Sequence, residues 1–284
     1  MAIIRFAACL LLAVIPFSDA FRTNTNLFRS VRSCNTLQMS AVAIFGGTGK
    51  TGSECVYQAL EQGLDVVVLA RSPSKMVVPE GSGGSEAGKP LENPKLTVLQ
   101  GSVTEAADVE KVFASRDDFI GSIIALGGKT KDVGKTMLTD GSSNVIDSML
   151  AKGIKRVSVV TSIGAGDSEK QAPLFFKALM YTVMKGIFTD KNNQEKLFLE
   201  GKGKDLDYCI VRPGGLGVGP PTGVINVIEG EAGSIARADV AAFCLGAITD
   251  PEFPYIKKTP CISSVGGTSW VKSKEAGFDG VTTA

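Results

Sequence analysis

A short apolar run that collapses into glycines constrains this chain more than any other feature. Ala41 to Phe45 is followed by Gly46, Gly47, Gly49 and Gly52, and Glu54 to Leu60 then carries helical spacing. That order spells a strand, a tight turn and a helix N-terminus. α/β proteins hold a dinucleotide pyrophosphate at such a place, because free backbone N–H groups and the helix dipole meet the phosphates there. The early glycines allow φ values that a Cβ disfavours and a close approach of the backbone to phosphate. Gly52, inside the first helical turn, allows helix and strand to pack closely. Gly46, Thr48, Gly49, Lys50, Thr51 and Gly52 are the candidate pyrophosphate residues. The Gly49-Lys50-Thr51 tail invites a P-loop reading, but no glycine stands where P-loop spacing needs its first one. The chain has no histidine, which removes the usual participant in most hydrolytic and zinc-based chemistries, and no metal-ligand spacing is present.

The first 40 residues read as address rather than fold. Arg5 precedes an apolar run of nine, Ala7 to Ile15, and Ser18-Asp19-Ala20 ends on a small residue suited to a signal peptidase. That run is far shorter than the roughly 20 residues of a membrane span. Residues 21–40 hold Arg22, Arg29 and Arg32, many Ser, Thr and Asn, and no acidic residue. A signal peptide (1–20) followed by a transit-like segment (21–40) resembles the two-part presequence of algae with secondary plastids, such as diatoms. The location expected is therefore the plastid, with secretion as the alternative. Cys55, Cys209, Cys244 and Cys261 have no paired spacing and read as free thiols of a reducing compartment. Without residues 1–40 the chain loses four of 30 basic and one of 29 acidic side chains, leaving a net charge of about −2. Such a balance offers no nucleic-acid groove, and the mature chain has no candidate transmembrane segment.

Residues 41–284 read as a single domain. Strand-like runs at 42–45, 65–70, 95–100, 122–126, 156–161 and 206–211 alternate with helical segments at 49–62, 105–115, 141–152, 174–199 and 238–247, with a further strand around 261–265. Near-continuous apolar strands separated by helices predict a Rossmann-type, doubly wound parallel sheet covered on both faces. The glycine- and serine-rich stretch 73–94 reads as a mobile loop. After the second strand, where an acidic residue would bind the free ribose hydroxyls of NAD, stands Arg71. A guanidinium forks onto phosphate oxygens, so NADP(H) is favoured over NAD(H). A plain solvated loop charge is the alternative at that position.

Gly46 to Gly52, Ala70-Arg71, Val160 to Gly164, Leu206 to Leu216 and Ile235 to Ala241 together resemble the atypical short-chain dehydrogenase/reductases with NmrA-like, NAD(P)-binding domains. The resemblance implies that Ala125, Leu126 and Gly127 face a ribose of the nucleotide. It places Thr161, Ser162 and Pro213, Gly214, Gly215 and Leu216 beside the nicotinamide. Ser102 stands where the family has an aspartate after the third strand. The superfamily's serine, tyrosine and lysine have Ser162 as the serine candidate and two sets of partners. Tyr181 and Lys185 form a Tyr-x-x-x-Lys pair, and their i,i+4 spacing puts both on one helix face. Lys191, followed by Glu195, better fits the family's distance to Arg212-Pro213, and it leaves no tyrosine four residues upstream. The activity implied is hydride transfer from NADPH to a small acceptor. The alternative is a non-catalytic NADP(H)-binding regulatory or scaffold protein attached to a plastid protein complex.

Overall fold

Strand β1 (Ala41–Phe45) is buried along its whole length and lies third from one edge of a nine-stranded sheet. The structure, a computed structural model, describes residues 40–128, 134–264 and 268–270. The expected address segments 1–20 and 21–40 lie outside them, apart from Ser40, as does the end of the strand expected at 261–265. The described residues form one compact unit.

Six strands run parallel in the order β3 (Leu96–Gln100), β2 (Asp65–Ala70), β1, β4 (Phe119–Ile124), β5 (Arg156–Val160), β6 (Asp207–Pro213). Strand β10 (Cys261–Ser263) continues the sheet in parallel, and β8 (Ile225–Val227) and β11 (Thr268–Trp270) close that edge in antiparallel pairing. Two short strands, β7 (Gly215–Gly217) and β9 (Ser234–Ala236), pair separately beyond the end of β6. This is the Rossmann order expected for a doubly wound sheet, and the order reverses between β1 and β4. Such a reversal opens a crevice at the carboxyl ends of the strands.

Strand residues alternate between two apolar layers, which is why the strands read as unbroken hydrophobic runs. Val42, Ile44, Val66 and Val68 pack under α1 (Lys50–Glu61) and α6 (Arg237–Thr249). Ala43, Phe45, Val67 and Leu69 pack under α2 (Ala106–Ala114), α3 (Met137–Lys152) and α5 (Lys185–Leu199). The four cysteines of the described residues are all free and buried. Cys55 and Cys244 meet between α1 and α6, where that contact, and then burial, push the Cys55 thiol up.

The expected helix over 174–199 is two helices, α4 (Leu174–Tyr181) and α5. Thr182 leaves helical geometry at φ −105°, ψ −90°, and its hydroxyl donates back to the Ala178 carbonyl at 2.8 Å. Such a back-bond competes with the helical ladder. Helix α3 begins four residues before the expected position. Its N-terminus is closed from outside by buried Asp190, whose carboxylate accepts from the Leu138 and Thr139 amides.

The segment 73–94 holds no element longer than three residues, yet it is tied to the fold. Buried Glu54 of α1 accepts from the Gly81 and Ser82 amides at 2.8 and 3.1 Å, and Met76 and Val78 are buried. Glu54→Ala leaves two amides without their acceptor and is expected to cost about 1–3 kcal/mol. Faster proteolytic cleavage within 79–90 would report the release.

Candidate functional site

The turn after β1 is built around two positions that tolerate no side chain. Gly46 has φ +86°, and a Cβ on it would lie 2.4 Å from the Ala125 carbonyl oxygen at the end of β4. A Cβ on Gly52 would lie 2.1 Å from the Gly46 carbonyl oxygen. The turn closes through the Gly49 amide, which donates to that same carbonyl at 2.9 Å. Helix α1 then starts with Gly49 as an extended N-cap, with no side-chain cap and no acidic residue in its first turn. The first amides of a helix have no intrahelical partner, so this uncapped end presents donors and a positive dipole end to an anion. By contrast, the start of α3 is filled by Asp190. The cradle therefore fits a pyrophosphate, and Thr48, Lys50 and Thr51 stand around it.

Other candidates converge on the same side of the sheet. Arg71 follows the last residue of β2, exposed and without a carboxylate partner among the described residues. Ala125, Leu126 and Gly127 follow β4, and the Ala125 amide donates to the Phe45 carbonyl at 2.8 Å. Thr161 and Ser162 follow β5, and the Ile163 amide donates to Pro213 at the end of β6. The Gly214 amide donates to Ile262 of β10, while Gly215 and Leu216 enter β7. All of these residues lie at or just past carboxyl ends of neighbouring strands.

The deepest charged cluster lies behind Thr161. Lys191 of α5 donates from Nζ to the Thr161 carbonyl at 2.9 Å. Desolvation brings its pKa down to about 8, with the Glu195 and Asp190 carboxylates pulling the other way. One turn on, Glu195 is 1% exposed and accepts from the Thr161 hydroxyl at 2.7 Å. Its two oxygens also take Nε and Nη2 of Arg212 at 3.1 and 2.6 Å. Arg212 Nη1 donates to Asp167 at 2.5 Å, which holds the Asp167 carboxyl below the usual range. Burial opposes the guanidinium charge, and the bonds to Glu195 and Asp167 outweigh it, so Arg212 stays firmly cationic.

Ser162 makes no hydrogen bond through its hydroxyl among the described residues. The adjacent turn is served by Ser168, which accepts from the Gly164 amide and donates to Ala165. Asp239 lies in the first turn of α6; it is buried and accepts from the Thr222 and Gly223 amides, tying down the loop after β7. Arg237 donates to the Gly217 carbonyl.

Tyr181 and Lys185 do not share a helix face, which corrects the reading made from their spacing. Tyr181 ends α4 and Lys185 begins α5, with the break at Thr182 between them. Tyr181 is exposed, and its hydroxyl meets Glu169, which raises its pKa. Asp167 and Asn192, which accepts from the Gly166 amide, are members of the site that no spacing flagged. Both act through loop geometry that only the folded chain supplies.

A family model described as NAD(P)H-binding matches residues 46–251. An uncharacterised chloroplastic protein of Arabidopsis thaliana is 29% identical over 259 residues, covering 84% of this chain and 86% of that one. Among solved structures, ChuY, an anaerobillin reductase from Escherichia coli O157:H7, is 26% identical with a TM-score of 0.59, covering 79% of this chain and 97% of that one. A wide-type short-chain dehydrogenase/reductase from Veillonella parvula, in complex with NADP, has a TM-score of 0.62 at 15% identity, covering 81% and 97% of the two chains.

Proposed function

The chain belongs to the NAD(P)H-binding family, and from that premise we propose that it is a plastid reductase using NADPH to reduce a small acceptor. The observation that carries this reading is Lys191, an amine with pKa about 8, hydrogen-bonded to the strand-end carbonyl of Thr161. The bound nicotinamide supplies the hydride, the equivalent of two electrons and one hydrogen nucleus. The chain's residues do the rest. The open end of α1 receives the pyrophosphate, and Arg71 takes the 2′-phosphate. Ser162 offers a hydroxyl to the acceptor. Lys191 is mostly protonated at neutral pH, so it gives a proton to the acceptor atom that becomes negative as hydride adds to the neighbouring carbon. Solvent would then restore the ammonium, closing the proton balance on the chain's own residues.

A lysine donor suits a site in which, among the described residues, no tyrosine is hydrogen-bonded to Ser162 or Lys191. Tyr57 lies in α1, Tyr181 meets Glu169, Tyr208 is buried near the start of β6 against Phe198, and Tyr255 packs on Phe243 and Phe253. The plastid assignment is supported by the relative named as chloroplastic and by the reading of residues 1–40. The likeness to an anaerobillin reductase puts an anaerobillin-like compound first among acceptors to try, beside flavins, quinones and linear tetrapyrroles.

The test is NADPH oxidation against that panel. Tight binding without consumption of NADPH by any member would replace this reading with that of a nucleotide-sensing regulator. Where turnover occurs, its rate is expected to fall as pH rises through about 8, and Lys191→Met should remove that inflection. The choice of cofactor has its own measurement. Arg71→Ala is expected to weaken NADPH about 10- to 100-fold, the worth of one charge-assisted phosphate contact, while NADH changes little. Equal losses for both nucleotides would assign Arg71 to the fold rather than to the 2′-phosphate.

A further inference from the structure

Helix α4 turns its apolar side chains outward. Leu174 and Phe175 are each 83% exposed, and Val183, just past the helix, is 70% exposed, with Tyr181 between them. The inner face of the same element is already seated. Met180 reaches Gly164, two residues beyond Ser162, and Phe176 stacks edge-on against Phe188. The outer face therefore flanks the mouth of the candidate cleft with no apolar partner among the described residues.

Exposed apolar side chains on this scale mark a surface that another phase or molecule covers. Their electrostatic setting points to the occupant. Residues 170–189 contain three lysines, Lys170, Lys177 and Lys185, and no acidic side chain. The nearest carboxylate before them, Glu169, is engaged with the Tyr181 hydroxyl. The charges carried by the α4 segment itself are therefore lysines, while the loop that hydrogen-bonds Gln171 carries the exposed Glu229 and Glu231. Exposed apolar tips on an element whose own charges are lysines, with a tyrosine at its end, match the headgroup layer of an anionic bilayer: the tips enter the acyl boundary and the lysines meet lipid phosphates. Among the described residues no helix is long and apolar enough to cross a membrane, so this contact lies on the surface.

We propose that the α4 face docks the protein on an anionic lipid surface with its cleft beside the membrane. The docking stands independently of hydride chemistry. Its consequence for substrate class rests on the reductase reading: the acceptor is an amphiphilic molecule dissolved in the lipid, entering past Leu174 and Phe175.

Vesicle flotation of the chain from residue 39 on tests the docking, with phosphatidylcholine vesicles beside phosphatidylcholine/phosphatidylglycerol vesicles. Binding to the mixed vesicles is expected, and Leu174→Asp/Phe175→Asp should lower the bound fraction about tenfold or more. Lys177→Glu/Lys185→Glu should abolish the preference for the anionic mixture. Leu174, Phe175 and Lys185 are exposed and Lys177 is half-buried, so thermal midpoints and NADPH affinity in solution are expected to stay close to the wild-type values. Absence of flotation with both vesicle types, or equal flotation of the Leu174→Asp/Phe175→Asp variant, would overturn the proposal. So would concentration-dependent dimerisation that this variant abolishes, since a second copy would then be the occupant. NADPH consumption is read without vesicles, so failure of the reductase reading is seen separately from failure of docking.

Discussion

Gly52→Ala is expected to weaken NADPH binding about a hundredfold or more and to lower the thermal midpoint, the opposite sign from helix propensity. In an ordinary helix, glycine to alanine stabilises by about 0.8–1.0 kcal/mol. Here the new methyl would lie 2.1 Å from the Gly46 oxygen, 2.7 Å from the Gly46 carbonyl carbon and 2.9 Å from the Gly47 Cα. All three atoms are backbone, so no rotamer change relieves the contact and the turn itself must move. Overpacking of this kind costs about 1–3 kcal/mol. Displacing the turn also spoils the convergence of amides on the phosphates, each such charge-assisted bond being worth about 1.5–3 kcal/mol. Losing two of them, about 3–6 kcal/mol, exceeds the roughly 2.8 kcal/mol of a hundredfold change in affinity. Gly186, in α5, supplies the control: a Cβ there meets nothing within 4 Å. Gly186→Ala should gain up to about 1 kcal/mol and leave NADPH binding untouched. Nucleotide titration and thermal melts of both variants separate the cradle from the helix, and wild-type affinity in Gly52→Ala would refute the cradle.

The same contrast between local and distant causes explains what the sequence made legible. The parallel strands were readable because burial on both faces turns them into apolar runs, as in Asp65–Ala70. The glycine turn was readable because its constraints act within a dozen residues. The break between α4 and α5 was not, since Leu174 to Leu199 is helix-compatible throughout. It depends on the back-bond of Thr182 and on Met180 and Phe188 seating against Gly164. The anchoring of 73–94 was hidden for a related reason, as its acceptor, Glu54, sits on another element. Strands of three residues such as β8 and β9 carry too few positions for an alternating pattern to stand out. Lys191 was found through resemblance and distance to Arg212-Pro213, while its depressed pKa needed the folded surroundings. Asp167 and Asn192 had no signal, because loop polar residues acquire partners only when the chain closes around Gly166.

Arg212→Met is expected to destabilise the protein by about 3–5 kcal/mol, because it leaves the Glu195 carboxylate buried without its cation. Arg212 is 3% exposed in its side chain and Glu195 1%, so water cannot replace the lost partner as it would at a surface pair. Replacing both by apolar residues, as Glu195→Leu with Arg212→Met, should recover a large part of the loss, which a double-mutant cycle in denaturant would measure. Glu195→Gln separates charge from shape: it keeps an acceptor for Thr161 but removes the stronger of the two carboxylate charges that hold the Lys191 pKa up. The lysine inflection should then fall below about 8. The sign in stability follows from proton counts. The Lys191 amine binds its proton more weakly in the folded chain than in the unfolded one, where its pKa is about 10.4. Between those two values the unfolded state holds more protons, so stability rises with pH across the window. In Glu195→Gln that rise should begin at lower pH and extend over a wider range. An unchanged window would mean that Glu195 holds Thr161 and Arg212 in place without governing the charge on Lys191, and the network would then be scaffold rather than part of the proton-donating apparatus.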